Sequence, residues 1–197
     1  VFINNINLEK NKKTKRSSFN IIISKSGNTL ETIANFNSDK IKKNTIFITE
    51  NRKSFIKQTA EKLKEEVIEH NNFIGGRYSV LSETGMLPAS LMGLDPKKFK
   101  QLDRLISKKE FIKNLIINVE SILYFHNKRK TNSIILNYDE SSTDLFYWYQ
   151  QLVAESLGKK GKGILPIISM MPKDNHSVMQ LYLDGNKNNF FTFFFND

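Results

Sequence analysis

The chain has 197 residues, 39% hydrophobic and 25% charged, which excludes a disordered polymer and leaves room for one or two packed domains. It contains no cysteine, so disulfides and thiolate metal sites are excluded and a reducing cytoplasm is permitted. The net charge of +10 does not point to nucleic acid: Lys supplies most of it, whereas base and phosphate readers lean on Arg, and the densest basic run, 10–16, reads as a solvated loop.

The elements alternate as in an α/β protein. Residues 19–23, rich in β-branched side chains, read as a strand buried on both faces. A turn over 24–28 leads into a helix from 29 to about 36. Residues 45–49 read as a second buried strand. An amphipathic helix is predicted over 53–69, with Phe55, Ile56, Ala60, Leu63 and Val67 near helical spacing. These make two right-handed strand–helix units of a parallel sheet. A glycine-bearing stretch, 73–94, ends before Asp95-Pro96, which opens a further helix. A long helix over 109–125 then connects to a second alternation: strand 133–138, helix 144–157, strand 164–169, helix 174–183 and a last strand at 190–195. That last run is far too short to span a bilayer, and no membrane association is expected. The opening Val1-Phe2-Ile3 is unlike a signal peptide. The chain does not start with Met, and we expect it to be a segment of something longer.

Chemistry concentrates in four places. Ser24-Lys25-Ser26-Gly27-Asn28-Thr29-Leu30-Glu31-Thr32 lies between a strand and a helix, where open α/β sheets bind ligands. Its hydroxyls, a glycine and a helix N-terminus together suit a phosphate, beyond what a plain N-cap requires. Asn72-Phe73-Ile74-Gly75-Gly76-Arg77-Tyr78-Ser79 follows about forty residues later: paired glycines bring backbone close to a ligand beside one fixed positive charge. In Trp148-Tyr149-Gln150-Gln151-Leu152-Val153-Ala154-Glu155, Gln151 and Glu155 are four apart and share one helix face. Asp174-Asn175-His176-Ser177 carries the third of three histidines. His70 and His126 have no supporting motif and are expected to be structural.

These four stretches, in this order and spacing, resemble the glucose-6-phosphate isomerase family. The resemblance implies two sugar-isomerase (SIS) type α/β/α sandwich domains with parallel sheets, both incomplete: 1–108 as the later part of the first, and 109–197 as a connecting helix and most of the second. It implies a cytoplasmic aldose–ketose isomerase of glycolysis and gluconeogenesis that interconverts glucose 6-phosphate and fructose 6-phosphate through a cis-enediol, without metal or cofactor. Ser24, Lys25, Ser26, Thr29, Gly76 and Gln151 would hold the substrate. Arg77 would stabilise the enediolate. Glu155 would be the base, its pKa raised by partial burial. His176 would assist ring opening from a neighbouring subunit, which implies a homodimer. A non-catalytic sugar-phosphate-binding regulator of the same fold is the alternative, since such a sensor needs the phosphate loop and not the base.

Val1-Phe2-Ile3-Asn4-Asn5 resembles the strand before the phosphate loop's own strand. The family's preceding glycine-rich turn ending in Ser, and a later helix carrying a Lys, have no counterpart here. We therefore expect the isolated 197 residues to show little or no turnover and to aggregate through unpaired strand edges. Met170-Met171-Pro172-Lys173 stands where the family usually has a glycine-containing turn, and Pro172 fixes a backbone angle that glycine would leave free, which bears on the placement of His176.

Overall fold

A computed structural model describes residues 19–38 and 44–196. The expected strand at 1–5 and the basic run at 10–16 lie outside the described residues. Two compact units are present, Val1–Lys100 and Gln101–Asp197.

The first unit carries a parallel sheet of β1 (Asn20–Ile23), β2 (Thr45–Thr49) and β3 (Glu66–Glu69), in the order β1-β2-β3. The central strand bears the burial. Phe47 and Ile48 of β2 are fully enclosed, and Phe47 packs with Ile56 and Ala60, ringed by Ile22, Phe36, Leu63 and Val67. The helices α1 (Leu30–Ser38) and α2 (Phe55–Leu63) follow β1 and β2. Expected burial of the first strand on both faces is not found. β1 is half-buried along its length, because among the described residues it pairs on one side alone.

A second correction concerns 53–69. The helix begins as expected, capped by Ser54, whose hydroxyl accepts from the Lys57 N–H. It stops at Leu63, where Lys64 adopts the left-handed conformation (φ 57°) and turns its N–H back onto the Ala60 and Glu61 carbonyls. Glu66–Glu69 then pairs with β2, Ile48 opposite Ile68. Val67 sits in phase with the helix by coincidence of spacing and belongs to the core from the strand.

A 3-10 turn, Gly76–Leu81, leads to α3 (Glu83–Leu91). Three helices follow: α4 (Pro96–Phe99), α5 (Asp103–Ile106) and the connector α6 (Lys109–Asn127). The second unit holds another parallel sheet, with β4 (Asn132–Asn137) between β5 (Leu165–Met170) and β6 (Asn189–Phe194). Ile134 and Leu136 of the central strand pack with Met171, bordered by Ile167, Met179, Tyr182 and Phe191. The crossover helix α7 (Thr143–Leu157) links β4 to β5.

The continuous helix expected over 174–183 is broken into a 3-10 turn, Lys173–His176, and α8 (Met179–Asp184). Asp174 is the reason. Its carboxylate accepts from the Met170 N–H at 2.8 Å and from the Ser177 hydroxyl at 3.2 Å, holding the chain in a tight turn after a cis Met171–Pro172 bond. No helix among the described residues is long and apolar enough to cross a membrane.

Candidate active-site elements

The phosphate-loop candidate sits where β1 hands over to α1. Ser24, 5% exposed, holds its hydroxyl 2.8 Å from that of Thr29, and Ser26 holds its own 3.4 Å from the same Thr29 oxygen. The Gly27 and Asn28 amides donate to the Ser24 and Ser26 hydroxyls at 3.1 and 3.2 Å. Three hydroxyls thus converge on one small loop at the start of a helix, a donor set that fits an anion. Gly27 is required here. It has φ +65°, and a Cβ would lie 2.1 Å from the Ser54 hydroxyl oxygen. That close approach lets α2's cap brace the loop, which the Gly27 carbonyl also does by accepting from the Ile56 N–H.

Lys25 turns away from the loop's hydroxyls. Its ammonium donates to the carbonyls of Ile74, at 2.6 Å, and Asn72, at 3.3 Å, and lies 3.3 Å from a carboxylate oxygen of Glu50. The two motifs of the first unit are therefore joined directly, three residues before Arg77.

The Ile74 carbonyl is gripped a second time by His70 Nε2 at 3.2 Å. His70 is 1% exposed, and its Nδ1 meets the Glu83 carboxylate at the head of α3. Its two ring nitrogens thus face one oxygen each, on either side of the ring. Partial burial pushes the Glu83 carboxyl up. Hydrogen bonds from its own backbone N–H, from His70 and from Asn71, with the His70 charge, outweigh this and hold it below its ordinary value. The structural role expected for His70 is what the geometry gives it.

Beyond this loop, Tyr78 N–H donates to the Gly75 carbonyl and the Ser79 hydroxyl to the Gly76 carbonyl, fixing the 3-10 turn. The Arg77 guanidinium lies 4.8 Å from the centre of the Tyr78 ring. A Cβ on Gly76 would meet nothing within 4 Å, so its surroundings are open.

In the second unit, α7 can be placed along its sheet. Thr143, at its start, contacts Met170 at the end of β5, and Gln150 donates 2.8 Å to the Pro166 carbonyl near the start of β5. The preceding Tyr149 hydrogen-bonds Ser133 near the start of β4, and burial raises its phenol despite that bond. Gln151 donates to Glu155 at 3.1 Å, as their shared face requires. Glu155 lies five residues beyond Gln150, about 7 Å further past the starting ends of the strands. The partial burial expected of it is not found: its side chain is exposed among the described residues. His176, also exposed, follows the opposite end of β5. Glu155 and His176 are therefore separated along the sheet by roughly 20 Å.

Glu50 escaped the sequence reading. It is 7% exposed and bridges Lys25 to Arg52 Nε, the latter at 2.9 Å. Its one sequence signal is an acidic residue directly after a buried strand.

The profile of the family described as phosphoglucose isomerase matches residues 3–164. A glucose-6-phosphate isomerase of Methanocaldococcus jannaschii is 37% identical over 185 residues, 87% of this chain and 46% of that protein. A probable glucose-6-phosphate isomerase of Methanococcus maripaludis is 34% identical over 206 residues, 97% of this chain and 45% of its own length. The glucose-6-phosphate isomerase of Campylobacter jejuni is 32% identical, with 88% and 46% covered. This chain thus spans less than half the length of the curated relatives it matches. A crystal structure of a hypothetical protein from Thermus thermophilus superposes with a TM-score of 0.72 at 23% identity, over 90% of this chain and 47% of that one, a likeness of fold.

Proposed function

The chain belongs to the phosphoglucose isomerase family, and from that premise we propose that the protein carrying it interconverts glucose 6-phosphate and fructose 6-phosphate in the cytoplasm, within glycolysis and gluconeogenesis. The observation that carries this reading is the bridge from Lys25 to the Asn72 and Ile74 carbonyls, which sets a hydroxyl-lined anion loop beside the segment bearing Arg77. An enzyme for a phosphorylated sugar needs both: one anchor for the unreacting phosphate and one charge near the carbonyl carbons.

In this reading Ser24, Ser26 and Thr29 turn their hydroxyls onto the phosphate. Arg77 stabilises the oxyanion of a cis-enediolate as it forms, and the open space at Gly76 admits the sugar. Glu155 takes the proton from C2 and returns it to C1, or the reverse, while Gln151 orients its carboxylate. An exposed carboxylate is a poor base for a carbon acid, so Glu155 acts only once another part of the protein or the substrate covers it.

His176 opens the sugar ring. The separation of Glu155 and His176 along one sheet supports a homodimer in which the partner subunit's His176 completes each site. No step in this scheme calls for a metal or cofactor.

The test is conversion of fructose 6-phosphate by the complete protein, coupled to glucose-6-phosphate dehydrogenase, with Glu155→Gln alongside. Robust wild-type turnover that falls by about 10³-fold or more in the variant, with substrate still bound, is expected of a lost general base. Turnover that survives the substitution removes Glu155 from the role. Sugar phosphate bound without turnover would favour a regulator.

A further inference from the structure

A lysine in a phosphate loop is ordinarily read as a phosphate ligand, but the partners of Lys25 say otherwise. An ammonium has three hydrogens. Those of Lys25 face three acceptors, the Ile74 carbonyl at 2.6 Å, the Asn72 carbonyl at 3.3 Å and Glu50 Oε1 at 3.3 Å. Glu50 is nearly enclosed, and a carboxylate in such a place keeps its charge only where cations compensate it. Lys25 and Arg52 supply them, one to each oxygen. Backbone bonds lock the geometry further: the Glu50 N–H donates to the Lys25 carbonyl at 3.1 Å, and the Thr49 hydroxyl reaches the same oxygen at 3.3 Å. The end of β2 thus holds both ends of Lys25, its carbonyl and its ammonium.

We propose that Lys25 and Glu50 are positioning residues: Glu50 fixes the Lys25 ammonium as a strut on the Asn72 and Ile74 carbonyls, so that ordering of the phosphate loop is passed to the segment that carries Arg77. The peptide between Ile74 and Gly75 is the point of transmission. Its carbonyl is pinned by the strut from the loop's side and by His70 from the β3 side. Its far end continues into Gly75, whose carbonyl starts the 3-10 turn. The part played in turnover rests on the isomerase reading; the mechanical coupling does not.

The test uses the complete protein, inorganic phosphate as the probe, and the variants Lys25→Met and Glu50→Gln. Hydrogen exchange of the amides over 72–78 is followed with and without phosphate. In the wild type phosphate slows their exchange by roughly tenfold or more, and in both variants most of that slowing is lost while the phosphate Kd stays within about threefold. In turnover, each variant lowers kcat by about tenfold or more with KM nearly constant, and the double variant is no worse than either single one, as for residues acting as a unit. Weakening of phosphate binding by about 100-fold in K25M, with E50Q unaffected or tighter, would make Lys25 a direct ligand and overturn the proposal. So would equal protection of 72–78 in wild type and variants, or none in the wild type. Coupling without turnover of either hexose phosphate would instead remove the isomerase reading and leave the strut. Should E50Q fail to fold, K25M and Glu50→Asp carry the same comparison.

Discussion

Two glycines in the candidate site do opposite work, and substitution separates them. At Gly27 the positive φ and the 2.1 Å approach to the Ser54 oxygen leave no room for a methyl group. Gly27→Ala is expected to cost about 2–4 kcal/mol, from left-handed strain added to overpacking, and to lower the melting temperature by several degrees or more. At Gly76 a methyl group meets nothing within 4 Å, so Gly76→Ala should change stability by less than about 0.5 kcal/mol. If Gly76 lies where the substrate passes, G76A should nonetheless lose turnover. Thermal melting and kinetics on the same samples check both; a G76A variant as unstable as G27A would show that the 3-10 turn, not the ligand, needs that glycine. The loop's hydroxyls and its glycine were legible in the sequence because they are contiguous and lie between a strand and a helix. The work of Lys25 was not. Its partners sit at 50, 72 and 74, and no local pattern announces that a lysine will spend its donors on carbonyls nearly fifty residues away.

At the scale of elements, strands whose side chains are buried were the most readable. The expected run 45–49 and the observed β2 coincide, and the central β4 was found within a residue at each end. β3 was missed for a physical reason. It is four residues long with a charge at each end, and the residue that ends the preceding helix is a lysine, which gives no hint of a left-handed turn. The same observation yields a prediction. Lys64 holds φ 57°, which costs a side-chain-bearing residue about 1–2 kcal/mol, and glycine is the residue suited to that position. Lys64→Gly is expected to stabilise the first unit by about 0.5–1 kcal/mol after the larger entropy of glycine in the unfolded chain is subtracted. A chemical denaturation midpoint that rises, with an unchanged slope, is the expected result. A fall would mean that the Lys64 side chain contributes more than its strained backbone costs.

At the scale of the whole molecule the open matter is whether one chain can complete one site. The geometry of the second unit speaks to it: Gln150 at the Pro166 carbonyl and Thr143 at Met170 fix which way α7 runs along β5, and so put Glu155 and His176 over opposite ends of the sheet. Four motifs in family order carry no sign of this separation, which depends on helix and strand running antiparallel in a crossover. Mixing two damaged proteins turns the geometry into a measurement. Let one complete protein carry Glu155→Gln and another His176→Ala, each depressed in activity alone, and let subunits be exchanged by dilution and reassociation. If a site draws Glu155 from one chain and His176 from the other, each hybrid dimer regains one intact site. Half of randomly paired dimers are hybrids, so activity should recover to about a quarter of the wild-type value per chain. If both residues serve the site of their own chain, no pairing reunites an intact pair, and the mixture stays at the mean of its components.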